Sequence, residues 1–259
     1  MVSFCTTAAA VCLVALSGLQ PGVAGSTTYK FTVESVTEDA YLAANLARNG
    51  KLRVHVNEVA TEQNLVTALK AKLQQDDALT GGPCDQMKVN SVLKDMFYQS
   101  FDYPDSTTPD YRQLLQDALK AGLDVFKDSK YPQTDTAWGD VWGQDAGASL
   151  GYLLGSNSTQ IGCVIGKCTT VEPNEEEPTS PIETPTEKAM LFCELSPAPV
   201  KGKAPFDEEY FSGLIARTTL LKDMTEDDLK APAENSDASA VVPTTLIAGF
   251  AAMSAAVSV

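Results

Sequence analysis

The sequence predicts a single α/β domain with a small antiparallel sheet, closed by two disulfides. Three observations lead there. Segments with helical spacing of apolar residues surround two segments of strand type, residues 160–171 (QIGCVIGKCTTV) and 189–195 (AMLFCEL). Cys84, Cys163, Cys168 and Cys193 form an even set in the middle of the chain. Each end of the 259-residue chain is an apolar run of the kind that processing removes, so the domain lies between them.

The first run, residues 4–19, is followed by the small residues Val23, Ala24 and Gly25. It reads as a secretory signal peptide, residues 1–25, cut near Ser26. No Lys or Arg lies near Met1, so the α-amino group supplies the positive end. The second run, residues 241–259, has no charged residue and follows Asn235, Ser236, Asp237, Ala238 and Ser239. It reads as a glycosylphosphatidylinositol (GPI) attachment signal, with Asn235, Ser236 and Asp237 as attachment candidates and residues 236–259 removed. The alternative is a single membrane-spanning helix, which needs about 20 apolar residues and flanking cations. Pro243, Thr244 and Thr245 interrupt the run and no cation follows Val259, which favours the anchor. The expected product is residues 26–235, exported and held on the outer leaflet by lipid.

Within that product, residues 29–36 (YKFTVESV) alternate as a strand does. Residues 38–48 are helix-like and stop at Asn49-Gly50, a C-cap and turn signal. Residues 51–56 (KLRVHV) alternate again and predict a short strand. Val59, Leu65, Leu69 and Leu73 predict a helix over 57–75. Gly81-Gly82-Pro83 ends that segment, and Cys84 opens another helical stretch through Leu93, Met96 and Phe97. Residues 102–109 (DYPDSTTP) are a turn cluster. Residues 110–127 carry the strongest amphipathic stripe, and 136–154 predict glycine-broken helix. Residues 205–221 start with Pro and acidic residues, as helix N-termini prefer, and 225–230 predict a short Thr-capped helix. Between the two strand segments, residues 172–186 are rich in Glu, Pro, Thr and Ser and predict a disordered acidic loop at a hairpin tip. An interdomain linker is the other reading; Cys163, Cys168 and Cys193 bracket the segment too closely for it.

The net charge of −15 argues against a nucleic-acid partner, which needs a basic face, and against docking of the protein surface on anionic lipid. Its plain reading is solubility. An even cysteine set in an exported chain implies disulfides, with three connectivities open. Zinc would use the close Cys163 and Cys168, but no second close pair or nearby His accompanies them.

The residues point to no catalytic machinery and to no metal or other cofactor. His55 is the lone histidine, and no nucleophile motif, phosphate loop, dinucleotide fingerprint or calcium loop is present. A structural role is expected for it. The carboxylate pairs Asp76–Asp77, Glu208–Glu209 and Asp227–Asp228 lie at helix ends or on polar faces, where solvated charge is expected. Trp138 and Trp142, four apart, share a helix face; core anchoring is expected rather than a binding ridge. Asn157-Ser158-Thr159 is a glycosylation sequon in a polar turn, which makes Asn157 the glycosylation candidate.

Residues 41–52 (YLAANLARNGKL), 153–169 (LLGSNSTQIGCVIGKCT), 191–199 (LFCELSPAP) and 204–218 (APFDEEYFSGLIART) resemble the Eimeria-type coccidian surface-antigen (SAG) family. That resemblance spans essentially the whole chain. It implies a lipid-anchored ectodomain displayed on a parasite surface, with a role in host-cell attachment and immune exposure. A more distant resemblance joins Val141-Trp142, Ile161-Gly162-Cys163, Cys168, Leu191-Phe192-Cys193 and Ser196-Pro197 to the C-terminal half of the CAP superfamily (cysteine-rich secretory, antigen 5 and pathogenesis-related proteins). It implies a three-layer α-β-α sandwich around an antiparallel sheet, and pairings Cys163–Cys193 and Cys84–Cys168. The chain departs from that pattern where a cleft histidine is expected: Thr136 stands six residues before Trp142. With His55 as the lone histidine, the two-His site of that superfamily cannot form.

The expected function is therefore that of a GPI-anchored cell-surface antigen, non-catalytic, whose partners are host-cell surface molecules and, through its anchor, the outer leaflet of the membrane. One alternative is a carrier of a small apolar ligand such as a sterol or fatty acid, for which a groove lined by Leu150, Leu153 and Leu154 is expected. The other is a protective coat protein without a specific ligand.

Overall fold

A computed structural model describes residues 27–230 apart from 82, 105–106, 175 and 178. The signal-peptide segment and the attachment candidates Asn235, Ser236 and Asp237 lie outside the described residues. Chain order is β1 (Thr28–Ser35), α1 (Glu38–Asn49), β2 (Ala60–Thr61), α2 (Gln63–Leu73), β3 (Leu79–Gly81), β4 (Lys88–Val89), α3 (Ser91–Lys94) and β5 (Phe97–Asp102). Then come α4 (Tyr111–Leu123), α5 (Asp135–Trp142), α6 (Asp145–Leu154), β6 (Gln160–Glu172), β7 (Ile182–Ser196) and α7 (Glu208–Ala216).

The main sheet runs β1-β6-β7-β5 with antiparallel neighbours, and β2 adds a short parallel pairing to the start of β6. The strands β3 and β4 form a separate ribbon. The β6 sequence is an almost unbroken apolar run because both of its faces are covered. Ile161, Cys163 and Ile165 join the larger apolar cluster with Leu46, Leu115, Leu153 and Tyr210. Val164 joins the smaller one with Phe31, Leu69, Leu73 and Phe192. Alternate residues of β7 divide in the same way, Leu191 and Cys193 to one cluster, Met190 and Phe192 to the other. Helix α2 with the ribbon and α3 therefore packs on one face, and α1, α4, α5, α6 and α7 on the other. Gly162 lets α2 approach: a Cβ there would lie 2.6 Å from Leu65 Cβ and 2.6 Å from the Val66 nitrogen.

Each face carries one disulfide. Cys163 and Cys193 are opposite one another in the β6–β7 register, with Cα atoms 4.2 Å apart, the spacing of a non-hydrogen-bonded cross-strand pair. Cys84, in the turn between β3 and β4, reaches Cys168 on β6 at a Cα separation of 5.8 Å. These are the pairs that the superfamily resemblance implies.

Helix α1 departs from the simple amphipathic pattern. Its Asn45, Arg48 and Asn49 lie at i, i+3 and i+4 and all turn inward to hold the following loop. Asn49 exchanges hydrogen bonds with the Val56 backbone at 3.0 and 2.9 Å, and Asn45 does the same with Val59. Arg48, 0% exposed, donates to the carbonyls of Asn57 (2.7 Å), Leu153 (2.6 Å), Gly155 (3.0 Å) and Ser158 (3.3 Å). Arg217 donates to the carbonyls of Leu46, Ala47 and Gly50, where a cation suits the negative end of the helix dipole.

This network explains the first departure from expectation. Residues 51–56, expected as a strand, form an irregular loop, because side-chain amides rather than a neighbouring strand satisfy its backbone. Gly50 keeps a negative φ of −55° and the left-handed turn falls on Lys51 instead. The glycine serves close approach, since a Cβ there would meet Met224 Sδ at 2.5 Å. The helix expected over 57–75 is shorter: Val59 belongs to the opposite cluster from Val66, Leu69 and Leu73, so one helix could not bury all four.

Residues 84–97 break into a short 3-10 turn, β4, α3 and the start of β5 rather than one helix. Phe97 pairs with Cys193 in the sheet, and the side chain of Ser149 bonds both the nitrogen and the carbonyl of Tyr98. The helix expected over 205–221 is confined to α7, capped by Asp207. The strand expected at 189–195 begins at Ile182, so residues 182–186, expected in the disordered loop, pair with β6 through Glu172↔Ile182 to Thr169↔Pro185. Pro185 fits because β5 does not flank that stretch and no donor is needed on its open side.

Candidate functional site

The β6–β7 hairpin has two unlike ends. Its base, around Gln160 and Ser196, adjoins the turn 155–158, which Arg48 of α1 holds, and Lys51 just after α1 bonds the last described residues. Lys51 donates its backbone N–H to the Asp228 carbonyl at 2.9 Å and pairs with the Asp228 carboxylate at 3.3 Å. That carboxylate accepts from the Thr225 backbone, which lowers its pKa, with Lys51 adding to the effect. The expected short helix here is a 3-10 turn, Glu226–Leu229, with a Thr225 capping box.

The distal end is built differently. Residues 182–186 bond β6 on one side and carry exposed side chains, apart from Thr186. Thr186 donates to the Cys168 carbonyl at 2.9 Å and Thr170 to the Thr184 carbonyl at 3.1 Å. Lys30 of β1 pairs with Glu183 at 2.6 Å across the intervening strand. Ile182 is 50% exposed among Glu172, Glu183 and the threonines. The boundary between the ends lies just past Thr169, and inside it the Lys167 ammonium sits 5.3 Å from the Tyr103 ring. From Gln160 to Glu172 the strand rises about 40 Å, at about 3.3 Å per residue.

The residues singled out for chemistry do not converge. Half-buried His55 has its Nε2 2.9 Å from the Leu52 carbonyl, a local structural bond. Asp76, Asp77, Glu208, Glu209 and Asp227 are exposed, and Asp228 caps. Trp138 is buried among Phe126, Tyr131 and Phe206. Trp142 packs on Tyr152 and donates to the Lys203 carbonyl at 2.8 Å. Both indoles are core anchors, not a ridge. Asn157 is exposed in its turn. No group of three or more His, Cys, Asp or Glu side chains is placed to hold a metal among the described residues. No helix among them is long and apolar enough to cross a membrane.

Leu150, Leu153 and Leu154 are buried in the larger cluster and open onto no groove among the described residues, contrary to what the carrier reading expects. A hollow does exist elsewhere, between α4 and α5. It holds about 310 Å³ and is lined by Val125, Phe126, Tyr131, Pro132, Ala137 and Val141. Across Tyr131 lies a more open one of about 480 Å³, reaching Phe211 and Ile215. The segment beside them contains Asp128 and Ser129 in succession at φ 54° and 51°, a left-handed backbone that non-glycine residues adopt at a cost. Tyr131 spans the hollows and donates to the Phe206 carbonyl at 2.8 Å; burial raises its pKa. The sequence showed this place only as KDSKYP, a turn-rich break between two helices.

No protein-family model matches the chain, and no curated protein matches it. Among solved structures it is similar to the Eimeria tenella surface antigen protein SAG19, with a TM-score of 0.41 and 17% identity, over 72% of this chain and 97% of that one. It is also similar to the hookworm platelet inhibitor, with a TM-score of 0.36 and 11% identity, over 68% of this chain and 79% of that one. Both are weak likenesses at the level of the fold.

Proposed function

We propose that the chain is a GPI-anchored, non-catalytic surface antigen that presents the distal β6–β7 hairpin to host-cell surface molecules. The observation that carries this reading is the hairpin's polarity. Two disulfides cross-link its covered part, the last described residues bond Lys51 just after α1, and its exposed half, residues 169–172 against 182–185, runs on about 10 Å beyond the covered part. Disulfides buried in the core suit an oxidising, extracellular setting. An anchor attached beyond Lys230 puts the base against the outer leaflet and leaves Ile182, Glu183 and Lys30 in the half that faces away from it. The three-layer α-β-α arrangement belongs to the same reading and is supported by the two apolar clusters on opposite faces of the sheet. Crowding of anchored copies adds avidity to weak single contacts.

The test is binding of disulfide-intact residues 26–235 to host epithelial cells, with reduced protein as control. Saturable binding lost on reduction supports a folded adhesin. No binding, even from a multivalent display, sinks it and leaves the protective coat.

A second reading, a carrier of a small apolar ligand, is favoured by the hollow beneath Tyr131 rather than by the leucines first expected to line one. Its volume lies at the lower end of the range for small-molecule sites. A fluorescent fatty acid displaced by unlabelled ligand, and not bound when Ala137→Trp fills the hollow, supports it. Equal binding by that variant excludes this hollow.

A further inference from the structure

A third hollow, of about 320 Å³, lies at the base of the molecule, against the turn that carries Asn157. One wall is the turn itself, Gly155 to Ser158; the other is the loop from Pro197 to Pro205. The two walls are tied at both ends. Ser156 N–H donates to the Pro205 carbonyl at 2.8 Å, the Ser158 hydroxyl to the Pro197 carbonyl at 2.7 Å, and Thr159 N–H to the Ser196 carbonyl at 2.9 Å. Asn157 stands at the rim. Its side chain makes no hydrogen bond among the described residues, and the hydroxyl of exposed Thr159 makes none either. The contrast with Asn45, Asn49, Asn90 and Asn174 is clear, since their side chains all engage backbone groups. The loop wall presents Pro197, Ala198, Pro199 and Val200, and Val200 is 67% exposed, the most open large apolar side chain among the described residues.

We propose that Asn157 carries an N-linked glycan whose first N-acetylhexosamine folds back into this hollow. A pyranose ring has an apolar face of C–H groups and an equatorial rim of hydroxyls. The proline rings and Val200 offer dispersion contacts to the face, and the Ser156 and Ser158 side of the turn is polar. The sequon supplies the free amide nitrogen, with Thr159 two residues on: its bond to the sugar C1 forms as the C1–O bond of a lipid-diphosphate-linked oligosaccharide breaks, the nitrogen gives up one proton and the lipid diphosphate leaves. Seated there, the sugar covers Val200 and shields the base, which leaves the hairpin as the bare end of the molecule. The inference rests on the exported reading above, since only a chain that enters the secretory path meets the transferase.

The experiment expresses the full chain in an N-glycosylating eukaryotic cell and maps peptides by mass after enzymatic deglycosylation in heavy-oxygen water. Conversion of Asn157 to labelled Asp is expected, and unmodified Asn157 overturns the proposal. An intact mass lacking four hydrogen atoms on the same sample reports two closed disulfides, so the exported reading is scored separately. The seat is tested by the deglycosylation rate of the native protein, expected at least tenfold slower than that of its denatured form. Val200→Ser, which strips the wall, and Ala198→Tyr, which fills the hollow, both sit at exposed positions and are expected to remove most of that protection. Equal native and denatured rates, or protection unchanged in both variants, overturn the seat.

Discussion

The two halves of the β6–β7 hairpin share one ladder and differ in almost everything else. In the base half, residues 161–169 are buried on both faces, both disulfides land there, and helices cover each side. In the distal half, residues 182–186 have one neighbouring strand, and the polar contacts are exposed pairs such as Lys30–Glu183. Exposed ion pairs contribute about 0–1 kcal/mol, whereas burial and cross-links contribute several. The same strand pair is thus anchored where it is covered and free to vary where it is not. Binding surfaces tend to sit at such places, carried by a rigid scaffold.

The largest effect that sharpens this contrast is loss of a base disulfide. Cys84–Cys168 closes 84 residues and Cys163–Cys193 closes 30, so chain entropy assigns them about 4.6 and about 3.7 kcal/mol. Paired Cys→Ser variants in chemical denaturation are expected to fall in that order. Equal midpoints for both variants and the parent would place the stability elsewhere.

Next is Arg48. Replacing it with Met leaves the carbonyls of Asn57, Leu153, Gly155 and Ser158 buried without this donor. A loss of about 3 kcal/mol is expected, partly restored by Arg48→Lys, and read from urea midpoints. Gly162→Ala is smaller, about 1–3 kcal/mol, because its Cβ would push α2 off the sheet.

Alkaline pH probes the same covered half. Burial raises the hydroxyls of Tyr41, Tyr98, Tyr111, Tyr152 and Tyr210 above the ordinary 10.0, Tyr152 to about 12. Groups raised in the folded state give stability that is intact below pH 10 and lost as pH climbs through their folded values. Arg48, lowered to about 10 by burial, and Arg217, also lowered, pull the other way, two arginines against these five tyrosines and Tyr131. Tyrosinate absorbance and circular dichroism are therefore expected to change together above pH 10. Ionisation of all tyrosines at pH 10 without loss of structure would contradict the burial.

Much of the base was legible in the sequence. The stripe of α4, the glycine break between α5 and α6, and the apolar β6 all follow from periodicity and turn chemistry. The α1 loop was not, because Asn49 reads only as a turn signal and the carbonyls that Asn45, Arg48 and Asn49 serve come together from later parts of the chain. Strand β5 was hidden for a similar reason: Phe97 continues a helical spacing, and only its cross-sheet neighbour Cys193 makes it strand. The distal half of β7 is strand by its ladder alone, since its composition is that of a loop. The hollow beneath Tyr131 needs residues from both sides of a turn, which periodicity does not report.

The most direct test of the base-and-tip account compares two exposed apolar residues at opposite ends, Ile182 and Val200. Both Ile182→Ser and Val200→Ser are expected to shift stability by less than about 0.5 kcal/mol, as surface changes do. In quantitative binding to host epithelial cells, Ile182→Ser combined with Glu183→Ser is expected to abolish saturable binding, and Val200→Ser to leave it unchanged. Binding kept by the hairpin variant and lost by Val200→Ser would put the contact surface at the base and contradict the account.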